Sequence, residues 1–317
     1  MTNPFDLAAG WLQENLLIPL LYELGLMSWE DVAFGWALFA MYGAAQVALT
    51  LAVCVPLERW RPVESWPDSK AVAVDVLYTL LSRVGLLPLV SFVLFYRVQV
   101  ALTGWLTDQG WTAPTLERLF PVLYGQQIAT FLLYAIILDF ADYWRHRLSH
   151  AFRWWYALHS VHHAQRQMTF WSDDRNHALD DLIAVVWFGA IALAVGVPPA
   201  QFPLLVLALR FVESLSHANT RVSFGWLGDR LMVSPRFHRA HHGVAAAGRV
   251  SRNYGSVLPW WDMAFGTADF AGRAVATGDP SAEEAMATGG WWDQQAAGIR
   301  RMLRASRTGG NGYASGG

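Results

Sequence analysis

The stretch that decides the fold is DFADYWRHRLSHAFRWWYALHSVHH, residues 139–163. Together with a later segment, HRAHH, it contains three histidine clusters: His146-x-x-x-His150, His159-x-x-His162-His163 and His238-x-x-His241-His242. These clusters use eight of the 10 histidines, and the other two, His177 and His217, lie between the second cluster and the third. Such concentrated clustering predicts a common site.

The spacing within each cluster places its histidines on one face of a helix, where they can bind the same metal site. Residues three and four apart share one face of a helix, so His146 and His150 can offer two imidazoles to one centre. An HxxHH element points its two neighbouring histidines about 100° apart and can therefore serve two adjacent metal ions. Imidazole favours iron, copper, nickel and zinc, and a single zinc takes only four ligands. The sequence therefore predicts two transition-metal ions.

Composition points to a membrane. Hydrophobic residues make up 54% of the 317-residue chain and charged residues only 15%, whereas soluble domains carry about 25% charged residues. The formal net charge of −2 argues against a nucleic-acid partner. The only cysteine, Cys54, excludes both a disulfide within the chain and a cysteine metal site.

Five apolar stretches are candidate membrane segments, at residues 33–56, 71–96, 119–141, 182–197 and 200–215. A bilayer crossing needs about 20 apolar residues, so the last two, joined by Gly196-Val197-Pro198-Pro199, form either a shallow hairpin or two crossings. The second is broken by Asp75, Arg83 and Pro88, and we expect the two charged residues to pair or to lie near its ends. Residues 97–118 are predicted to be a loop.

The positive residues predict the orientation of the chain. No Lys or Arg precedes residue 33, whereas Arg59, Arg61 and Lys70 follow the first apolar stretch. The positive-inside rule then places the N-terminus outside and the histidine clusters on the cytoplasmic side, and we expect an integral protein of a bacterial inner membrane.

The expected organisation has three parts. Residues 1–32 form an interfacial segment, residues 33–268 a membrane-embedded catalytic domain, and residues 269–317 a cytosolic, partly disordered tail. A weak helix at 291–306 lies either on an anionic membrane surface or in solvent.

Several site classes are excluded by missing motifs. The chain has no HExxH, no Glu-x-x-His pair for a carboxylate-bridged di-iron bundle, and no CxxC, GxGxxG or P-loop. A haem needs only one or two axial imidazoles and leaves most of the histidines unexplained.

The order HRLSH, HSVHH, HRAHH, with apolar hairpins before and between them, resembles the membrane-bound sterol desaturase and fatty acid hydroxylase superfamily over roughly residues 50–268. The context is also similar: Asp142-Tyr143-Trp144 leads into the first box, His217-Ala218-Asn219 follows the second hairpin, and Asn253-Tyr254-Gly255 and Trp261-Asp262 follow the third box.

The resemblance implies an all-α polytopic membrane protein, with about four transmembrane helices in two hairpins and a cytosolic helical cap that holds a histidine-rich dimetal site. It also implies two iron ions (Fe²⁺/Fe³⁺), O₂ as co-substrate, and hydroxylation of an unactivated C–H bond in a fatty acyl, sterol or hopanoid, carotenoid or ether lipid. Lipid desaturation by the same site stays open. Because no cytochrome b5-like haem domain is fused, electrons are expected from a separate ferredoxin or cytochrome b5-type reductase system.

Each candidate residue has a predicted role. The predicted metal ligands are His146, His150, His159, His162, His163, His177, His217, His238, His241 and His242. For His177 a structural role is the alternative. Asp142, one turn before His146, either accepts the second N–H of that ring or pairs with Arg145 or Arg147. Asn219 and Asp262 complete the candidate catalytic set.

Two other classes compete with the oxygenase. A non-catalytic membrane metal-binding or transport protein would place histidines or acids inside the spans, whereas these histidines lie beyond them. A zinc-dependent hydrolase needs an acid between its ligands, and no Asp or Glu occurs between His146 and His163. The pattern favours the oxygenase.

Overall fold

A computed structural model describes residues 4–65, 69–197, 202–244, 251–271 and 275–307. These residues form helices joined by turns, and no β-strand occurs among them; a single bridge pairs Gly243 with Thr277. The predicted all-α class is confirmed.

The α-helices are α1 (Pro4–Leu12), α2 (Ile18–Glu23), α3 (Glu30–Trp60), α4 (Ser69–Arg83), α5 (Leu86–Asp108), α6 (Leu116–Leu119), α7 (Gln127–Ala151), α8 (Arg153–His163), α9 (Ala178–Val195), α10 (Phe202–His217), α11 (Gly225–Leu231), α12 (Pro235–His241), α13 (Trp260–Ala264), α14 (Glu284–Thr288) and α15 (Trp291–Arg307).

Two helices in the described ranges are long and apolar enough to cross a membrane, namely Val32–Trp60 within α3 and the whole of α9. Protein buries only 17% of the apolar window of the first and 6% of that of the second, so both leave apolar surface for lipid to cover. This supports a membrane protein. The arrangement of four spans in two hairpins stays a prediction, and Pro198-Pro199 lies outside the described residues.

The second apolar stretch is two helices rather than one. Gly85 separates α4 from α5 with a φ of 104°, a conformation open to glycine, and its carbonyl accepts a hydrogen bond from the Trp36 indole at 3.1 Å. Helix α5 continues to Asp108, so the predicted loop at 97–118 is wrong for residues 97–108.

The charged residues of α4 pair with the segment between α8 and α9 rather than with each other. Asp75 accepts from Arg175 at 3.0 Å, and both side chains are fully buried. Arg83 pairs with Asp173 and Asp174, which are also buried. These ion pairs attach α4 to residues 170–175, next to the histidine-bearing helices.

Helix α7 carries the first histidine cluster to the end of an apolar segment. The helix runs from Gln127 through His146 and His150 without a break, and residues 119–126 of the apolar stretch at 119–141 lie before it. Phe152 then adopts an extended conformation, and α8 begins at once and carries the second cluster at its C-terminal end. The first two clusters are thereby brought side by side.

The C-terminal helix α15 packs against α8. Gln294 and Ala297 are buried in this contact, so one face of the helix is covered by protein instead of lying on a membrane or in water. The end of the predicted disordered tail, residues 308–317, lies outside the described residues.

Candidate metal centre

Nine of the histidines converge into two adjacent groups. Within each group the ligand nitrogens lie within 4.8 Å of one another. The first group is His146, His150, His159, His163 and His241, and the second is His162, His217, His238 and His242. All nine side chains are buried.

Each group combines histidines from helices that are far apart in the sequence. Neighbouring His162 and His163 on α8 divide between the two groups, which is the geometry expected of an HxxHH element. His241 and His242 at the end of α12 divide in the same way. Helix α12 begins at Pro235 after Ser234, whose side chain accepts the N–H of Phe237, so a proline and an N-cap fix its start.

Three histidines donate one ring N–H to a backbone carbonyl. The Nδ1 atom of His146 lies 2.8 Å from the Tyr254 oxygen, that of His241 lies 2.7 Å from the Arg252 oxygen, and that of His217 lies 2.8 Å from the Glu213 oxygen. A neutral ring that donates from Nδ1 has its lone pair on Nε2. These contacts therefore direct Nε2 into the site.

Asp180 performs the same task for His159. One carboxylate oxygen accepts from His159 Nδ1 at 2.9 Å, and the other accepts from the Trp155 indole at 2.7 Å. The histidine motifs give no indication of this residue. Its signal in the sequence is the acidic pair Asp180-Asp181 at the start of an otherwise apolar helix.

The inward nitrogens suit metal ions. The Nε2 atoms of His146, His150 and His159 are buried without a hydrogen-bond partner, an arrangement that is costly unless a ligand completes it. Between rings, Nε2 atoms approach to 3.1 Å for His163 with His241 and to 3.2 Å for His162 with His217. Neighbouring ligands on an ion with bonds of about 2.1 Å stand about 3 Å apart. The donor set therefore fits two transition-metal ions.

The electrostatics agree with this fit. Burial, followed by the neighbouring histidines, lowers the pKa of His162, His163, His238 and His242 well below the usual value. Burial also lowers the pKa of His241, to about 3. The rings are therefore neutral near pH 7 and present lone pairs to a cation.

His177 lies outside both groups. Its Nδ1 accepts the N–H of Leu179 at the start of α9, and its Nε2 lies 3.0 Å from the backbone oxygen of Gln295 on α15. Both ring nitrogens thus have partners within the protein. His177 therefore occupies the position expected of the structural alternative, and its role as a metal ligand stays a prediction.

Asp142 does not orient His146, because Tyr254 holds that ring. Its carboxylate instead pairs with Arg145 at 2.7 Å and accepts from Ser256. The alternative ion pair is therefore the one observed. Asp142 still lies on the wall of a cavity beside the histidines.

Asn219 joins the end of α10 to the turn after α3. Its side-chain oxygen accepts from the backbone N–H groups of Val63 and Glu64 at 3.1 and 3.2 Å, and its own backbone N–H donates to Glu58. These contacts hold it in a supporting position next to His217, with no contact to a metal-site nitrogen.

Asp262 supports the site indirectly. It accepts the backbone N–H groups of Tyr254 and Gly255 at 2.9 and 2.7 Å, together with the Thr267 hydroxyl. Because the carbonyl of Tyr254 holds His146, Asp262 positions a metal-site histidine through the loop. The catalytic roles predicted for Asp142, Asn219 and Asp262 stay predictions.

A cavity of about 150 Å³ adjoins the two groups. His146, His159, His162, His217 and His238 form part of its wall, and side chains from α7, α9 and α10 form most of the rest, together with Asp173, Asn176 and Ser256. The cavity gives a small molecule access to the inward nitrogens.

Known proteins resemble the same region. The family described as fatty acid hydroxylase matches residues 131–267. Human alkylglycerol monooxygenase is 28% identical over 44% of this chain and 31% of its own length. Methylsterol monooxygenase 2-2 of Arabidopsis thaliana is 32% identical over 47% of this chain and 56% of its own length. A very-long-chain aldehyde decarbonylase of Oryza sativa is 29% identical over 44% of this chain and 52% of its own length.

The matched part spans between 31% and 56% of the length of these relatives. No solved structure matches the chain. The matched residues include all nine histidines of the two groups. Residues 131–267 therefore match the fatty acid hydroxylase family, in agreement with the resemblance to the sterol desaturase and fatty acid hydroxylase superfamily.

Proposed function

We propose that this chain is a membrane-bound oxygenase that uses O₂ and two iron ions to hydroxylate an unactivated C–H bond of a lipid. The observation that carries the proposal is the convergence of nine buried imidazoles into two groups beside a cavity. The relatives support an oxygenase of lipids, since two of the three named above are called monooxygenases.

In this proposal His146, His150, His159, His163 and His241 hold one iron, and His162, His217, His238 and His242 hold the other. Bound iron supplies the activation of O₂. One oxygen atom enters the C–H bond and the other leaves as water, with two electrons and two protons taken up.

The protein residues orient and enclose this chemistry. Asp180 and the carbonyls of Tyr254, Arg252 and Glu213 fix the ring orientations, so the inward nitrogens need not reorganise. The buried rings and the apolar side chains of the cavity keep bulk water from the reacting carbon. The cavity holds the substrate against the site and thereby lowers the entropic cost of reaction.

The electrons come from a separate ferredoxin or a cytochrome b5-type reductase system, and the site faces the cytoplasm. The orientation rests on the distribution of Arg and Lys around the first apolar stretch. The three relatives named above are eukaryotic and lend no support to a bacterial inner membrane.

A metal analysis with two histidine variants tests the proposal. His162 belongs to a metal group, whereas His177 lies outside both, so His177→Ala is the matched control for His162→Ala. We expect about two irons per chain with a coupled Mössbauer signal in the wild type and in His177→Ala, and loss of the coupled signal in His162→Ala. One zinc, or no metal in a well-folded sample, would contradict the proposal.

The reaction itself is tested with isotopically labelled O₂ and mass spectrometry of the lipid products. Hydroxylation transfers one labelled oxygen atom to the lipid. A product that has lost two hydrogens and gained no oxygen would identify the desaturase alternative.

A further inference from the structure

A buried tryptophan is joined to the first histidine group through a carboxylate. The indole N–H of Trp155 donates to one oxygen of Asp180 at 2.7 Å, and the other oxygen accepts from His159 Nδ1 at 2.9 Å. Trp155 is 5% exposed and Asp180 is 2% exposed. Because His159 belongs to the first group, only two hydrogen bonds separate this indole from a candidate metal ligand.

A second tryptophan extends the connection to the surface. The rings of Trp154 and Trp155 are stacked, with their centroids 5.7 Å apart and their planes inclined by 17°. Trp154 is 41% exposed, and it lines an open apolar groove beside α9 that a small phenol can enter. The two indoles and Asp180 therefore form a continuous path from the surface to His159.

The carboxylate of Asp180 favours a positive charge on the Trp155 ring. Indole is among the most easily oxidised side chains, and a tryptophan that loses one electron can keep its N–H proton as a radical cation. An anion at hydrogen-bond distance stabilises that cation at a buried position, where few water molecules screen the attraction. Trp155 can therefore give up an electron without a base to receive a proton.

Two tyrosines also lie close to the histidines but are less suited to this step. Tyr156 and Tyr254 each have a ring centroid 5.3 Å from that of a histidine of the first group. A neutral tyrosine must lose its phenolic proton together with the electron. The Tyr254 hydroxyl donates to the backbone carbonyl of Ser251, which is a poor base. The Tyr156 hydroxyl donates to Asp279, whose carboxylate is already paired with Arg301 at 2.8 Å.

We propose that Trp155 and Trp154 form an electron relay that reduces the oxidised metal site when no substrate C–H bond is within its reach. Trp155 loses one electron to the oxidised site, keeps its N–H proton and becomes a radical cation beside Asp180. Trp154 then gives one electron to Trp155. A phenolic reductant from outside gives one electron to Trp154 and releases its own proton to water.

Each passage along the relay lowers the oxidation state of the metal site by one electron and leaves both indoles as they began. The oxidant is the metal site after its reaction with O₂, so the inference rests on the proposed oxygenase function. It adds to that function a protective activity, because an oxidised site without substrate otherwise attacks the side chains around it.

The test detects the radical directly. The full-length protein, loaded with iron in phosphatidylcholine nanodiscs, is reduced with dithionite, freed of excess reductant, mixed with O₂ in the absence of added lipid substrate and frozen rapidly for electron paramagnetic resonance. Protein grown with ring-deuterated tryptophan identifies the residue type, because deuterium narrows the spectrum of a tryptophan radical and leaves that of a tyrosine radical unchanged.

Four variants identify the position of the radical. Trp155→Phe and Trp154→Phe each interrupt the relay at one ring, and Tyr156→Phe removes the nearest competing donor. Trp187→Phe is the matched control, because the Trp187 indole donates to the backbone carbonyl of Ala141 at 2.9 Å instead of to a carboxylate that holds a histidine. Iron content and the Mössbauer spectrum are measured on the same samples, and the radical yield is expressed per coupled iron pair.

We expect a deuterium-sensitive radical in the wild type, in Trp187→Phe and in Tyr156→Phe, and its loss in Trp155→Phe. In Trp154→Phe the radical should form on Trp155 but should outlast that of the wild type when the phenolic reductant Trolox is added, because Trp155 is buried. A radical that persists in Trp155→Phe, or equal lifetimes with Trolox in the wild type and in Trp154→Phe, would overturn the relay.

The iron measurements separate the two proposals. A coupled iron pair without a tryptophan radical in the wild type would overturn this inference alone, and so would a radical lost only in Tyr156→Phe. A well-folded wild type without coupled iron would overturn the oxygenase proposal and the relay together.

Discussion

At the scale of single residues, Asp180 joins a metal-site ring to the protein around it. Its two oxygens accept from His159 and from Trp155, so the carboxylate fixes both the tautomer and the tilt of the imidazole. Partners of this kind are typically worth about 10- to 100-fold in metal affinity. We expect Asp180→Asn to weaken iron binding by a factor in that range, measured by competition with a chelator.

The neighbouring acid supplies the control. Asp181 lines the cavity but has no contact with a histidine nitrogen in the described structure, so Asp181→Asn should keep the affinity of the wild type. Equal affinities in the wild type and in both variants would show that His159 needs no carboxylate to bind the metal.

At the scale of secondary-structure elements, the buried pair between Asp75 on α4 and Arg175 anchors the segment before α9. Arg175 also donates to the carbonyls of Met286 and Ala287, which lie near α15. Removal of one partner from a buried pair leaves an uncompensated charge and costs about 3–5 kcal/mol. We expect Asp75→Leu to lower the free energy of unfolding by about this amount, measured by reversible denaturation in mixed micelles.

The double variant Asp75→Leu/Arg175→Met separates this charge effect from lost packing. With both charges removed, stability should recover to within about 2 kcal/mol of the wild type, because apolar replacements of a buried pair are often tolerated. A double variant as unstable as the sum of Asp75→Leu and Arg175→Met would show that the ion pair adds nothing to the separate contacts of its two partners.

At the scale of the whole molecule, the sequence indicates which histidines converge better than it indicates the residues that surround them. The three clusters can be recognised in the sequence because helical spacing alone brings His146 near His150 and His238 near His241. The position of His177 between the clusters suggests a metal ligand. In the structure, however, His177 caps α9 and contacts α15, a helix more than 100 residues further along the chain. Only the tertiary arrangement reveals such contacts.

The residues that support the site are equally hidden in the sequence. Asp180 reaches His159 only because α9 packs beside α8. The carbonyl that holds His146 is a backbone group of Tyr254, and the identity of a side chain does not indicate which hydrogen bonds its backbone makes. The break at Gly85 is hidden because apolar residues continue on both sides of it. Composition shows that a segment is apolar, but a single positive φ decides whether it is one helix or two.

The last prediction concerns the C-terminal helix. The sequence predicts a separate tail at residues 269–317, but α15 packs on α8, the helix that contributes three histidines. Gln295 contacts the backbone of Ala178 and Asn176 and the hydroxyl of Tyr78, and so joins α15 to the start of α9 and to α4. We expect a chain truncated after Gly290 to lose most of its iron, measured per purified chain.

A milder truncation tests whether the helix itself is responsible. A chain that ends at Arg307 lacks only residues 308–317 and should retain the iron content of the wild type, since α15 is intact. If the chain that ends at Gly290 also retained its iron, α8 would hold its histidines without support from α15, and the division into a catalytic domain and an independent tail would stand. Loss of iron in the shorter chain alone would instead extend the catalytic unit to Arg307, because the packing of α15 on α8 would then be required to keep His159, His162 and His163 in place.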